Sequence, residues 1–98
     1  MKIENYREQP PGGYAIALFD VYIPQWQLTF RNLKFCQSKK GTHFLGYPAF
    51  SIEDDMTGEK KWINFFDFSS EKKKDFEAKV FEELGAFLKG PIKRFQRD

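Results

Sequence analysis

The sequence holds one cysteine, Cys36, and one histidine, His43. A lone thiol has no partner for an internal disulfide, so nothing in it points to an oxidising compartment. Metal clusters and nucleophile–base pairs need several such residues at ligand or hydrogen-bonding spacing, and one of each without a flanking motif does not supply them. The acidic run Glu53, Asp54, Asp55 lacks the spacing of a calcium loop. Gly12-Gly13 precedes a strand pattern rather than a helix, which excludes a phosphate-cradling loop of the usual kind. No apolar stretch approaches the about 18 residues of a membrane span, and MKIENYREQP carries no apolar signal segment. The expectation is a soluble cytoplasmic protein without catalytic activity, cofactor, metal, small-molecule substrate or membrane partner.

Aromatic residues are what the chain has in abundance. Twelve Phe, four Tyr and two Trp in 98 residues favour strands and a core built from rings. At this length the chain is one folded unit, here residues 1–90, followed by a basic tail over residues 91–98. Residues 2–8, KIENYRE, read as a first strand that ends at the turn Gln9-Pro10-Pro11-Gly12-Gly13. The run YAIALFDVYI, Tyr14 to Ile23, is apolar except for Asp20 and ends at Pro24. In WQLTFRNLKFCQ the apolar positions Trp26, Leu28 and Phe30 change phase to Leu33 and Phe35. One extra residue near Arg31 and Asn32 does this to a strand that keeps one face buried, so a β-bulge is expected there.

Ser38-Lys39-Lys40-Gly41-Thr42 is a hairpin turn with Gly41 as its left-handed residue. It opens a fourth strand with Phe44 on one face and Leu45 and Tyr47 on the other, which Pro48 limits. After the polar loop EDDMTGEK, the stretch KWINFFDF has Trp62, Phe66 and Phe68 alternating with Lys61 and Asp67, as in a half-buried fifth strand. A helix follows, capped by Ser69 or Ser70 and stopped by Gly90-Pro91, with Phe76, Val80, Leu84 and Phe87 in one stripe that Phe81 and Leu88 widen. The predicted fold is α+β, a twisted antiparallel sheet of four to five strands with one C-terminal helix packed on one face. One helix cannot shield both faces, and apolar residues on the uncovered face make a homodimer the expected state.

Charge is distributed unevenly. No acid occurs from Val21 to Ile52, a stretch that holds Arg31, Lys34, Lys39 and Lys40. An acidic loop follows, and the chain ends with Lys93, Arg94 and Arg97 against a single Asp98. Basic residues interleaved with exposed rings are what nucleic acid requires, because cations neutralise phosphates and flat rings stack on bases. Trp26, Tyr22, Phe44, Tyr47, Phe50 and Trp62 are the candidate stacking residues. The alternative for them is burial in the core or in a dimer interface, and for the cations an ordinary solvated surface. Lys72, Lys73 and Lys74 stand among acids and read as a solvated helix face.

The segment from Phe19 to Leu84, about two-thirds of the chain, resembles the stage V sporulation protein G septation-regulator family. "LTFRNLKF", the turn glycine, "FLGYP" where the family has "FVAMP", the polar loop with its glycine and the terminal helix carry the resemblance. Where the family has basic residues after the proline, Ala49, Phe50 and Ser51 stand here, and "INFFDF" has no histidine-proline pair. The resemblance implies a small dimeric regulatory protein that binds DNA or RNA. Phosphate contacts would then fall to Arg31, Lys34, Lys39, Lys40, Lys93, Arg94 and Arg97. A non-catalytic protein-interaction or structural module with an exposed apolar sheet face is the competing expectation.

Overall fold

A computed structural model describes residues 1–90 and Ile92. Among these residues six strands precede one helix: β1 (Lys2–Glu8), β2 (Ala15–Ile23), β3 (Leu28–Gln37), β4 (His43–Gly46), β5 (Ala49–Glu53), β6 (Lys60–Asn64) and α1 (Ser70–Leu88). Strands β1 to β4 form an antiparallel sheet in chain order, and β5 pairs only with β6 in a separate hairpin. The α+β class with a four-stranded antiparallel sheet and a C-terminal helix is thus as expected.

The expected fourth strand is interrupted at Tyr47 and Pro48, where Pro48 has no N–H for a ladder, and its second half starts the hairpin. KWINFFDF is likewise divided. Its first half is β6, while Phe66 and Phe68 leave the strand and pack beneath the sheet.

One face of the four-stranded sheet makes the core. Ile3 from β1, Phe19, Val21 and Ile23 from β2, Leu33 and Phe35 from β3 and Leu45 from β4 are buried against Phe76, Val80, Phe81 and Leu84 of α1. The helix stripe is shorter than its sequence suggests, since Phe87 and Leu88 remain 50% and 38% exposed. Phe87 still touches the ring of Tyr6, with centroids 5.2 Å apart. Burial of this stripe is what holds α1, because its first turn has no side-chain cap bond from Ser69. Its end is closed by Lys89 in the left-handed region (φ 53°), with the Gly90 N–H donating to the Gly85 carbonyl at 3.3 Å.

A second packing unit closes the end of the core. Phe68 stacks on Phe76 at 4.7 Å between centroids, Phe30 lies 4.9 Å from Phe66, and Tyr47 meets Phe66 edge-on at 5.7 Å. The Tyr47 hydroxyl donates to Glu77 Oε1 at 2.6 Å, and the Lys73 ammonium stands 5.7 Å from the Tyr47 ring centre. Burial, then the Glu77 hydrogen bond and charge, push the Tyr47 phenol above its ordinary pKa. Tyr47 is therefore a core residue and is not free to stack on a base.

The expected turns occur where the sequence places them. Gly41 has φ 87°, and Ser38 and Thr42 close the β3–β4 turn through the Ser38 N–H to Thr42 O bond of 2.8 Å. The β2–β3 connection is the tight turn at Pro24-Gln25, with the Gln27 N–H donating to the Pro24 carbonyl at 3.2 Å.

Leu84 is fully buried, whereas Phe87 is half exposed at the end of the same stripe. In urea denaturation, Leu84→Ala is expected to cost about 2–5 kcal/mol. Phe87→Ala should cost clearly less, and equal losses would show that the stripe is buried along its whole length.

Candidate functional site

The distinctive polar feature of the fold is a carboxylate at the centre of its most apolar strand. Asp20 is only 3% exposed, and both strands beside β2 bulge around it. On β1, Glu4 pairs with Asp20 and Arg7 with Leu18, so Asn5 and Tyr6 share the place of one residue opposite Phe19. On β3, Leu33 pairs with Phe19 and Phe30 with Val21, so Arg31 and Asn32 together oppose Asp20. The bulge expected from the phase change at Arg31 and Asn32 is present, and a second faces it across β2.

Each bulge contains an asparagine in the left-handed region, Asn5 with φ 52° and Asn32 with φ 60°. Asparagine tolerates this conformation better than most residues because its short side chain can bond locally. Both asparagines direct donors at Asp20. Asn5 Nδ2 donates to Oδ2 at 2.8 Å and the Asn32 backbone N–H to Oδ1 at 3.0 Å, while Arg31 Nη1 approaches Oδ2 at 3.3 Å. Arg7 ties the two bulges together by donating to the Asn5 carbonyl at 2.7 Å and to Asn32 Oδ1 at 2.9 Å. Burial alone would raise the Asp20 pKa, but the Asn5 and Asn32 hydrogen bonds and the charges of Arg7 and Arg31 outweigh it and hold the carboxyl below its usual value.

Register then fixes what surrounds this network, because residues directly opposite in a sheet share a face. Arg7, Leu18, Lys34 and Gly46 form one rung of the face that α1 leaves uncovered, and Lys2, Tyr22 and Thr29 form another. Cys36 pairs with Phe44, whose ring is 6.4 Å from that of Tyr14. Gly46 gives Lys34 room, since a Cβ at Gly46 would stand 3.2 Å from Lys34 Cβ. Burial pushes the Cys36 thiol pKa up despite the nearby Lys34, which leaves a weak nucleophile.

The uncovered face was expected to be apolar. Its middle is instead charged, with Lys2, Arg7, Arg31 and Lys34 against Glu4 and Asp20. The exposed apolar residues lie mainly elsewhere. Phe50 and Ile52 share a face of the β5–β6 hairpin with Ile63, while Trp62 projects from the opposite face, 70% exposed. Phe65 packs beside Phe50 at 5.1 Å. Trp26 is exposed at the β2–β3 turn, above a groove of about 920 Å³ that Phe68, Phe76 and Lys79 also line.

Among the predicted phosphate contacts, the structure thus brings Arg31 and Lys34 onto one face and leaves Lys39 and Lys40 exposed at the turn where β3 ends. Lys93, Arg94 and Arg97 lie outside the described residues. Arg7 belongs beside Arg31 and Lys34, and sequence reading missed it. The signal was the three-residue gap between Ile3 and Tyr6, which a regular strand cannot put on one face and an inserted residue can. Lys72, Lys73 and Lys74 are exposed on α1, the element packed under the opposite face of the sheet. Among the described residues no group of three or more His, Cys, Asp or Glu could hold a metal ion, and no helix is long and apolar enough to cross a membrane.

Comparison of the chain with protein-family models, with curated proteins and with solved structures returns no match.

Replacing Asp20 by Asn puts an amide donor against the donors of Asn5 and Arg31. Asp20→Asn is expected to lower the unfolding free energy at neutral pH by about 1–3 kcal/mol. Because the folded-state pKa is depressed, the carboxylate stabilises fully above the unfolded value of about 3.9, and the contribution is lost as pH falls through the folded value. The wild-type advantage in denaturant should therefore shrink below about pH 4. An advantage that grows on acidification would contradict the depressed pKa.

Proposed function

We propose that the protein is a small non-catalytic regulatory module of the cytoplasm that binds DNA or RNA as a homodimer, like the stage V sporulation protein G family that its sequence resembles. The observation that carries this reading is the grouping of Arg7, Arg31 and Lys34 on one uncovered sheet face, with Lys39 and Lys40 at the adjoining turn. Two of these cations are held in place before any ligand arrives. Arg7 spans the two bulges, and Arg31 leans on Asp20 while its side chain stays 70% exposed. Lysine and arginine in such a group contact phosphates, which fixes position on the nucleic acid without reading its sequence.

The dimer is supported by the hairpin rather than by the uncovered face. An isolated two-stranded hairpin is at best marginally stable in water, and this one exposes Phe50, Ile52 and Trp62. A second copy of the chain covering the face that holds Phe50 and Ile52 would stabilise it. The same feature favours the second reading, in which the hairpin binds a different protein and the charged face is ordinary solvated surface.

A mobility-shift titration at two salt concentrations separates the readings. Phosphate-driven binding should weaken steeply with salt, and Lys39→Glu with Lys40→Glu should weaken it further while leaving the denaturation midpoint nearly unchanged. No shift at low salt would sink the nucleic-acid reading. Sedimentation equilibrium should give twice the chain mass, and Phe50→Glu with Ile52→Glu should return the monomer; a monomeric wild type overturns the dimer.

A further inference from the structure

The type of nucleic acid is decided by the shape of the charged face, and this step rests on the nucleic-acid reading above. We infer that the uncovered face of the β1–β4 sheet binds a single strand, with phosphates on Arg7, Arg31 and Lys34 and unpaired bases stacked on Tyr22 at one end and on Phe44 with Tyr14 at the other.

Position along the strands carries the inference. The register runs from the Lys2–Tyr22–Thr29 rung, past Asp20 and its bulges, to the Arg7–Leu18–Lys34–Gly46 rung and then to Cys36–Phe44. From Thr29 to Cys36 this is roughly 20 Å at 3.2–3.4 Å per residue, and four strands are about 14 Å across. Rings therefore stand at both ends of a middle where Arg7, Arg31 and Lys34 outnumber Glu4 and the buried Asp20, an arrangement that matches a few nucleotides laid along β3. The rings at the far end are accessible, Tyr14 at 57% and Phe44 at 42% exposed, and Tyr22 is partly so. Gly46 keeps the surface low beside Lys34, where a Cβ would crowd the lysine stem.

A duplex fits this surface poorly. Its bases are already stacked and paired, and its major groove admits a helix or a two-stranded ribbon rather than a four-stranded sheet. Among the described residues the two-stranded ribbon is β5–β6, whose tip carries Glu53 at the end of β5 and Asp54, Asp55 and Glu59 in the connecting turn, all exposed. Those carboxylates would meet the phosphates at the groove edge. Base–ring stacking, by contrast, is available to any unpaired strand.

The test uses the full chain and fluorescence anisotropy with a labelled oligothymidine of about 12 nucleotides, the matching duplex, and low and moderate salt. The single strand is expected to bind at least tenfold more tightly than the duplex. Phe44→Ala should weaken the single strand roughly 5- to 100-fold and leave the duplex unchanged. Lys34→Gln should reduce the salt slope by about 0.7. Lys79→Gln, on α1 beneath the other face, should leave the affinity within about twofold, and circular dichroism of each variant confirms its fold. Duplex binding equal to or tighter than single-strand binding overturns the inference while the nucleic-acid reading survives. So does single-strand binding that Phe44→Ala and Tyr22→Ala both leave intact. Absence of binding to either probe overturns both.

Discussion

An ionised carboxylate inside a sheet is costly to desolvate, and a sheet has few donors to spare for it because its backbone groups are committed to the ladder. The strands beside Asp20 supply donors by leaving the ladder. Each accepts one inserted residue, and each places an asparagine in the left-handed region. The insertions do more than satisfy the carboxylate. They reset the alternation of both strands, so that Ile3 and Tyr6 on β1, and Phe30 and Leu33 on β3, all face α1. A regular β1 would turn Tyr6 to the uncovered face, and a regular β3 would turn out either Phe30 or Leu33. The buried charge and the apolar core are therefore two aspects of one register.

The same register determines what the other face can be. With the apolar members of β1 and β3 turned inward, Arg7, Arg31 and Lys34 are left outward around Asp20. Two of the three are oriented by hydrogen bonds made on folding, so little of their side-chain freedom remains to be lost when an anion arrives. The aromatic group of Phe30, Phe66, Phe68, Phe76 and Tyr47 plays the complementary part beneath the sheet, where it fastens the chain between the hairpin and the helix.

Much of this was legible in residue order. The bulge at Asn32 showed as a change of phase, the turns showed as glycine and proline, and the helix stripe showed in its spacing. The division into two sheets did not show. Phe50, Ile52 and Trp62 alternate with polar residues as core strands do, and alternation reports which residues share a face without reporting whether anything covers it. The expectation of an apolar uncovered face failed for a related reason. Asp20 was visible as the only charge in its strand, but its effect depends on Asn5 and Arg7, which lie in a different part of the chain and meet it only through pairing. Arg31 and Lys34 were found because acids are absent around them; Arg7, flanked by Tyr6 and Glu8, offered no such contrast.

The hairpin has a further property that follows from how it begins and ends. Ala49 pairs with Asn64, and the Phe65 N–H reaches back to the Pro48 carbonyl at 3.2 Å, so the chain leaves and re-enters the body of the protein at one point. Everything between those residues is an insert with a closed base. Its length and its outer sequence can vary without moving Tyr47 or Phe66, which means that the hairpin can be exchanged for another while the sheet, the helix and the charged face are kept as they are.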